Sequence, residues 1–333
     1  MSPRHPSRRP LARAVQGFSL IELMIALVLG LLVTIAAIGM FLSNSRTYDT
    51  TESLSRVQEN ARVAFELMAR DIRESGGNPC SRNLLVANVL GATGGGTAWW
   101  NNWGNGVQGY ENGALAGSLA GTDSIEIMSA SSSGATVVAH NPTSATFDVV
   151  PQTHGFVADD ILVVCDFRQA SVFQMSGPSA NPVTNGNVVH NTGTGTPGNC
   201  SKGLGFAQPI DCSTNGTEYT YGDNSIVVRL QAARWYVANN GRGGNSLFRV
   251  ALRNNALATP EEVVEGVEDM EITYLLPGGT DYVDSTAIPA ARWREVGSVR
   301  LDLTLSGREN VGTDGSRINR RLQHTVTLRN RNI

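Results

Sequence analysis

From position 18 to 42 the chain reads FSLIELMIALVLGLLVTIAAIGMFL, apolar all the way round a helix and broken by a single charge, Glu22. A helix of that length spans roughly 37 Å at ~1.5 Å per residue, enough to cross a hydrocarbon layer ~30 Å thick. Beyond it the apolar residues thin to one stripe. Leu54, Val57, Ala61, Ala64, Phe65, Met68 and Ile72 recur at steps of three and four, the period of an amphipathic helix facing a core. The opposite face carries Glu52/Arg56, Glu66/Arg70 and Arg70/Glu74 at i,i+4 spacing, which suits an exposed helix surface. Gly76-Gly77-Asn78-Pro79 ends the pattern. One long helix over 18–75 is predicted, with an all-apolar half (18–42) and an amphipathic half (43–75).

After Gly76 the helical period disappears. Short β-rich runs alternate with Gly, Asn, Ser and Thr clusters, at 124–128, 145–150, 160–167, 171–174, 225–237, 247–252, 270–276, 296–305 and 322–328. In 296–305, Val299, Leu301, Leu303 and Leu305 alternate with Arg300, Asp302 and Thr304, the mark of a half-buried antiparallel strand. The fold class is therefore α+β: a long N-terminal helix packed on an antiparallel sheet body. The 36 glycines and 13 prolines fit a turn-rich body and argue against a helical bundle.

Charge adds a direction. Residues 1–17 hold Arg4, Arg8, Arg9 and Arg13 and no acid, so the start of the chain stays cytoplasmic and the body is exported. An ordinary cleaved signal peptide has an apolar core of about 7–15 residues, shorter than this one. A plain signal anchor leaves Glu22 unexplained, since an ionisable group in an apolar helix costs at least ~2.5 kcal/mol at mid-bilayer. The whole-chain charge of −3 argues against nucleic acid as the main partner, which needs a clustered basic face.

Gly17-Phe18-Ser19-Leu20-Ile21-Glu22 resembles the processing site of type IV prepilins and pseudopilins: a basic leader, glycine before the cut, phenylalanine after it, glutamate at the fifth mature position. The resemblance implies cleavage between Gly17 and Phe18 by a prepilin peptidase, and methylation of the new Phe18 amine. It gives Glu22 an assembly role, pairing with the Phe18 amine of a neighbouring subunit. The leader is then 1–17 and the exported body 76–333. Its loss removes four of the 26 basic side chains and none of the 29 acidic ones, so the mature charge becomes −7. Major pilins usually bend this helix with a proline; here Gly39 stands in that place, with Gly30 upstream. The segments ARVAFELMARDIRESGG and VVEGVEDMEITY (263–274) are similar to both PilW-type minor pilins and J-type pseudopilins, and the ending TLRNR (327–331) resembles the PilW type. Asp71 and Arg73, in the first of these, are expected to make a structural ion pair or cap.

A PilW-like minor pilin implies assembly at or near a pilus tip, serving adhesion, twitching motility or DNA uptake. The implied partners are other minor pilins, the major pilin, a tip adhesin, the prepilin peptidase and the inner-membrane assembly platform, with no direct nucleic acid contact. Its implied location is the inner membrane, single-pass, and then the pilus fibre. The alternatives are a J-type pseudopilin of type II secretion and a membrane-anchored exported enzyme or sugar-binding protein.

Candidate chemistry in the body is sparse. Four cysteines, Cys80, Cys165, Cys200 and Cys212, read as two disulfides in an oxidising compartment. Three pairings are possible; Cys200–Cys212 and Cys80–Cys165 are favoured, the first closing a short loop and the second tying the helix exit to a central strand. No zinc spacing, HExxH, GxSxG or phosphate loop occurs, so neither an enzyme, a cofactor nor a metal is expected. His140, His154, His190 and His324 are scattered, and Asp159, Asp160 and Asp166 read as exposed strand-end carboxylates. Trp99, Trp100 and Trp103 stand in a Gly/Asn loop, a candidate partner-contact surface, with a lid folded back over the sheet as the competing reading.

Overall fold

The computed structural model describes residues 19–77, 80, 84–95, 98–101, 103, 105–178, 186–193, 195–253, 256–312 and 314–329. Gly17 and Phe18 lie outside them. Residue contacts divide the chain into two units, Met1–Glu52 and Ser53–Ile333.

Helix α1 runs Leu20–Glu74 and contributes to both units. In the first unit its apolar residues are exposed around the whole circumference. In the second, Val57, Ala61, Ala64, Met68, Ala69 and Ile72 are buried, the stripe that the spacing predicts. Of its exposed charges, Arg70 pairs with Glu74 at 3.8 Å, and Glu66 pairs back to Arg62 at 3.0 Å. The helix ends at Gly76, whose φ of 63° needs no Cβ. Its N–H then donates to the Met128 carbonyl at 2.8 Å, carrying the chain directly into the sheet.

The strands are β1 (Leu85–Asn88), β2 (Val107–Tyr110), β3 (Ser124–Asn141), β4 (Thr146–Val150), β5 (Ile161–Cys165), β6 (Gln169–Gln174), β7 (Asn187–Val189), β8 (Ile226–Asn239), β9 (Asn245–Arg253), β10 (Ala256–Leu257), β11 (Glu261–Glu265), β12 (Val267–Leu275), β13 (Ser298–Ser306) and β14 (Asn319–Thr327). The larger sheet has the order β1-β6-β5-β8-β3-β4-β7, with β2 beside β3, β9 beside β8, and β10 and β11 beside β9. The smaller sheet is β12-β13-β14. Pairing is antiparallel except for β1 with β6, which is parallel. The long chain between those two strands supplies the crossover that a parallel pair requires.

The two long strands β3 and β8 form a spine shared by two cores. Their lower halves, with Ile125, Ile127, Trp235 and Val237, join the α1 stripe and the inner faces of β12 and β13 in one cluster. Met270, Ile272 and Tyr274 on β12 face Val299, Leu301, Leu303 and Leu305 on β13 there. Each large apolar side chain so buried contributes about 1.5–3 kcal/mol. The upper halves run between two further clusters. Leu162 and Val164 of β5 face one, Ile161, Val163 and Cys165 the other, so this strand is buried on both sides. Gly109 marks a close approach: a Cβ there would collide with the Tyr274 hydroxyl.

Both favoured disulfides form, Cys80–Cys165 across 85 residues and Cys200–Cys212 across 12. Loop-closure entropy assigns about 4.6 kcal/mol to a loop of the first size and about 2.8 kcal/mol to the second. Cys80→Ser/Cys165→Ser is therefore expected to lower the unfolding midpoint more than Cys200→Ser/Cys212→Ser, by calorimetry on the oxidised protein.

Candidate functional site

The site with a sequence signature is the start of α1. Ser19 Oγ accepts the Glu22 N–H at 3.2 Å, and the Glu22 carboxylate accepts the Ser19 N–H at 3.0 Å. This reciprocal pair is a capping box, which satisfies orphan donors of the first turn and sets an acid against the positive end of the helix dipole. The Ser-x-x-Glu spacing before the apolar run carries this signal in the sequence, beside the reading of Glu22 as an assembly residue. Further along, Thr34 returns its hydroxyl to the Gly30 carbonyl at 2.7 Å, so a polar side chain sits in the apolar half with its donor satisfied. Mean hydropathy of this part of α1 reaches 2.8, and the helix is long and apolar enough to cross a membrane.

At the other end of α1, Asp71 makes the structural pair expected of it. Its Oδ2 accepts from Arg249 Nε at 2.9 Å and from Trp235 Nε1 at 2.9 Å. Arg73 contributes through its carbonyl, which accepts the Arg329 N–H at 3.1 Å. A cleft of about 430 Å³ opens beside Asp71, between Leu67 and Glu74 on α1 and Ala233, Ala251 and Val263 on the sheet.

The tryptophan loop does not display three exposed indoles. Trp100 and Trp103 are only 7% and 6% exposed and join the core beside β5 and β6. Trp99 is half-buried, with the Arg234 guanidinium 4.3 Å above its ring. Arg234 in turn binds Glu126 at 2.6 Å, and Glu126 accepts the Tyr110 hydroxyl at 2.8 Å. The loop is a lid whose aromatic mass serves packing.

Asp159 is exposed as expected, whereas Asp160 and Asp166 are drawn into the fold. Asp160 is 1% exposed, paired with Arg229 at 2.7 Å; the apolar β5 that follows draws it inside. Asp166 accepts the Arg168 and Gln169 N–H groups and the Tyr219 hydroxyl, closing the β5–β6 turn. Among the described residues no three His, Cys, Asp or Glu side chains converge as a metal site.

The fold does bring two histidines together. The Tyr221 N–H donates to His140 Nδ1 at 3.1 Å, and the two Nε2 atoms of His140 and His190 are 3.1 Å apart. His140 must then carry its proton on Nε2 and donate it to His190. Phe147 stacks on His140 at 4.1 Å and Phe173 meets the edge of His190 at 5.6 Å. Burial in this aromatic pocket lowers His140 to about 4 and His190 to about 3. Nothing in the sequence joins residues 50 apart in this way; only the β4–β7 pairing does.

Asp123 is a second displaced group. Both its oxygens accept backbone N–H groups, from Asn112 at 3.2 Å and Ile272 at 2.9 Å, yet burial, with Glu111 nearby, raises it to about 7.

A family model described as Type IV Pilus-assembly protein W matches residues 234–325. A second, described as the prokaryotic N-terminal methylation motif, matches residues 12–38, which include Gly17, Phe18 and Glu22. Over these two stretches the chain is similar to PilW-type type IV pilins. The first match covers β9 to β13, most of β14 and the end of β8, so it falls on the strands that bury the α1 stripe. A solved structure, the type IV-like pilin TTHA1219 from Thermus thermophilus, aligns over 83% of this chain and 96% of its own at 10% identity, with a TM-score of 0.31. No curated protein matches the chain.

The histidine pair gives the body an acid sensitivity. Histidines held below their unfolded value of ~6.5 contribute stability that is complete above that pH and declines as pH falls toward 4. Asp123, held above its unfolded value, acts in the opposite sense: its unfavourable charging grows as pH rises from ~4 and is complete above about 7. The loss of melting temperature between pH 6.5 and 4 should therefore shrink in a His140→Gln/His190→Leu variant, followed by thermal unfolding at both pH values.

Proposed function

We propose that this pilin is a minor subunit of a type IV pilus, cut between Gly17 and Phe18 and methylated on Phe18. It is held in the inner membrane by the first half of α1, and then joins other pilins at or near the tip. Its work is organisational: it primes assembly and presents its body to the other minor pilins, the major pilin and a tip adhesin, with adhesion or twitching as the output. The observation that supports this is the junction of a basic, acid-free N-terminal segment with a helix apolar on every side, followed without a break by a helix half buried along one stripe. The first part suits a bundle of like helices in a membrane or a filament; the second fastens that helix to its own body.

Glu22 acts twice in this proposal. In the single chain its carboxylate closes the capping box with Ser19. In the filament the same carboxylate neutralises the Phe18 amine of the neighbouring subunit, a pair whose one-sided removal costs about 3–5 kcal/mol when buried. Glu22→Leu is expected to be processed normally and to be depleted from sheared filaments. Wild-type yields of the variant in those filaments would refute the pairing. N-terminal mass analysis tests the class itself: a methylated Phe18 start is expected, and an intact Met1 start excludes it.

A further inference from the structure

The smaller sheet ends in a strand that, among the described residues, has a strand neighbour on one side alone. Among the described residues β14 pairs with β13 on one side and with no strand on the other. Its register sets which backbone groups are spare. Leu328 donates to the Gly297 carbonyl, continuing the Ser298↔Thr327 alignment by one step. In an antiparallel ladder the bonded positions alternate. Leu322, His324 and Val326 therefore face β13, and Asn319, Arg321, Gln323, Thr325 and Thr327 direct their N–H and C=O groups outward. The Arg329 N–H, next in that outward series, reaches the Arg73 carbonyl at the end of α1. From Asn319 to Thr327 no such partner is present among the described residues. The outward-facing residues are all exposed, and the strand contains no proline.

The charge along this edge is the reverse of the body as a whole. Arg308, Arg317, Arg320 and Arg329 are exposed and make no ion pair among the described residues, while Arg321 lies against Asp302 at 2.8 Å. The mature chain carries seven more acidic than basic side chains. This nine-residue edge thus carries, among the described residues, more arginines than acids on a negative protein. A row of unpaired backbone groups is a template for strand addition. Flanking arginines select against another basic strand and in favour of an acidic one.

We propose that β14 is a docking edge, and that its occupant is an extended acidic segment of a partner polypeptide, added as a fourth strand to β12-β13-β14. Backbone bonds to Asn319, Arg321, Gln323, Thr325 and Thr327 hold the strand, and Arg317, Arg320 and Arg329 choose its charge. This surface is independent of the membrane half of α1 and of the reading of the pilin as a tip subunit.

The test uses the full-length protein in detergent, titrated with a labelled peptide of alternating Thr and Glu long enough to cover the strand. An alternating Thr–Lys peptide and a short DNA duplex serve as comparisons. Gln323→Pro removes an outward N–H and none of the bonds to β13, so the sheet is preserved. Arg317→Glu/Arg320→Glu changes charge alone and stands in if the proline variant is destabilised. The expected result is binding of the Thr–Glu peptide, no binding of Thr–Lys, and at least a tenfold loss in either variant. Three outcomes would overturn the proposal: no binding of the acidic peptide to the wild-type protein, binding untouched by Gln323→Pro, or a preference for the DNA duplex that only the arginine changes abolish. Self-association lost in Gln323→Pro without peptide binding would assign the edge to a second copy and equally overturn it.

Discussion

The stripe of α1 pressed against β12 and β13 is the contact on which the body is built. Met68, Ile72 and the three alanines Ala61, Ala64 and Ala69 meet Met270, Ile272, Leu301 and Leu303 in one cluster with the lower halves of β3 and β8. The alanines set how near the helix can lie to the sheet, and the long side chains fill what remains. Asp71 then locks the end of the helix to β8 and β9 through Trp235 and Arg249. The upper sheet hangs on the same arrangement, because β3 and β8 run on from this core into the second and third clusters. The matched pilus-assembly segment, 234–325, is the portion that makes the clasp.

Much of this was legible from residue order alone. The α1 stripe was readable because its steps of three and four persist for several turns, and β13 because its alternation is unbroken. Each of the nine β-rich runs corresponds to an observed strand. The missed strands, β1, β2, β7, β10 and β11, have two to five residues, too few for a period to declare itself. Their place comes from neighbours: β1 from lying beside β6, β11 from turning back on β9. β3 was read too short because Ser131 and Gly134 suggest a turn, whereas the chain absorbs them as a register shift against β8.

The candidate sites divide along the same line. Local signals such as the glycine–phenylalanine junction and the even cysteine count lie in one stretch of chain or in plain arithmetic. The histidine pair, the burial of Asp160 and the inward turn of Trp100 and Trp103 depend on which strands become neighbours. A Gly/Asn loop rich in tryptophan looks like a surface feature, yet apolar β5 and β6 offer those rings a drier place. Glu22 is legible by a local rule: the carboxylate that caps the first turn also places a negative charge at the helix end.

The Cys80–Cys165 bond also has a mechanical meaning. Once the contacts of the α1 stripe yield, a pull along α1 reaches the chain just after Gly77, a few residues before Cys80, and the sulfur bridge passes it straight to β5, between β6 and β8. The chain enclosed by that bridge would extend roughly 290 Å if drawn straight. With the bridge closed it cannot lengthen, so β1, β2, β3 and β4 are spared from unravelling strand by strand under tension. The load falls instead on the hydrogen bonds of β5 with its two neighbours, in the interior of the sheet.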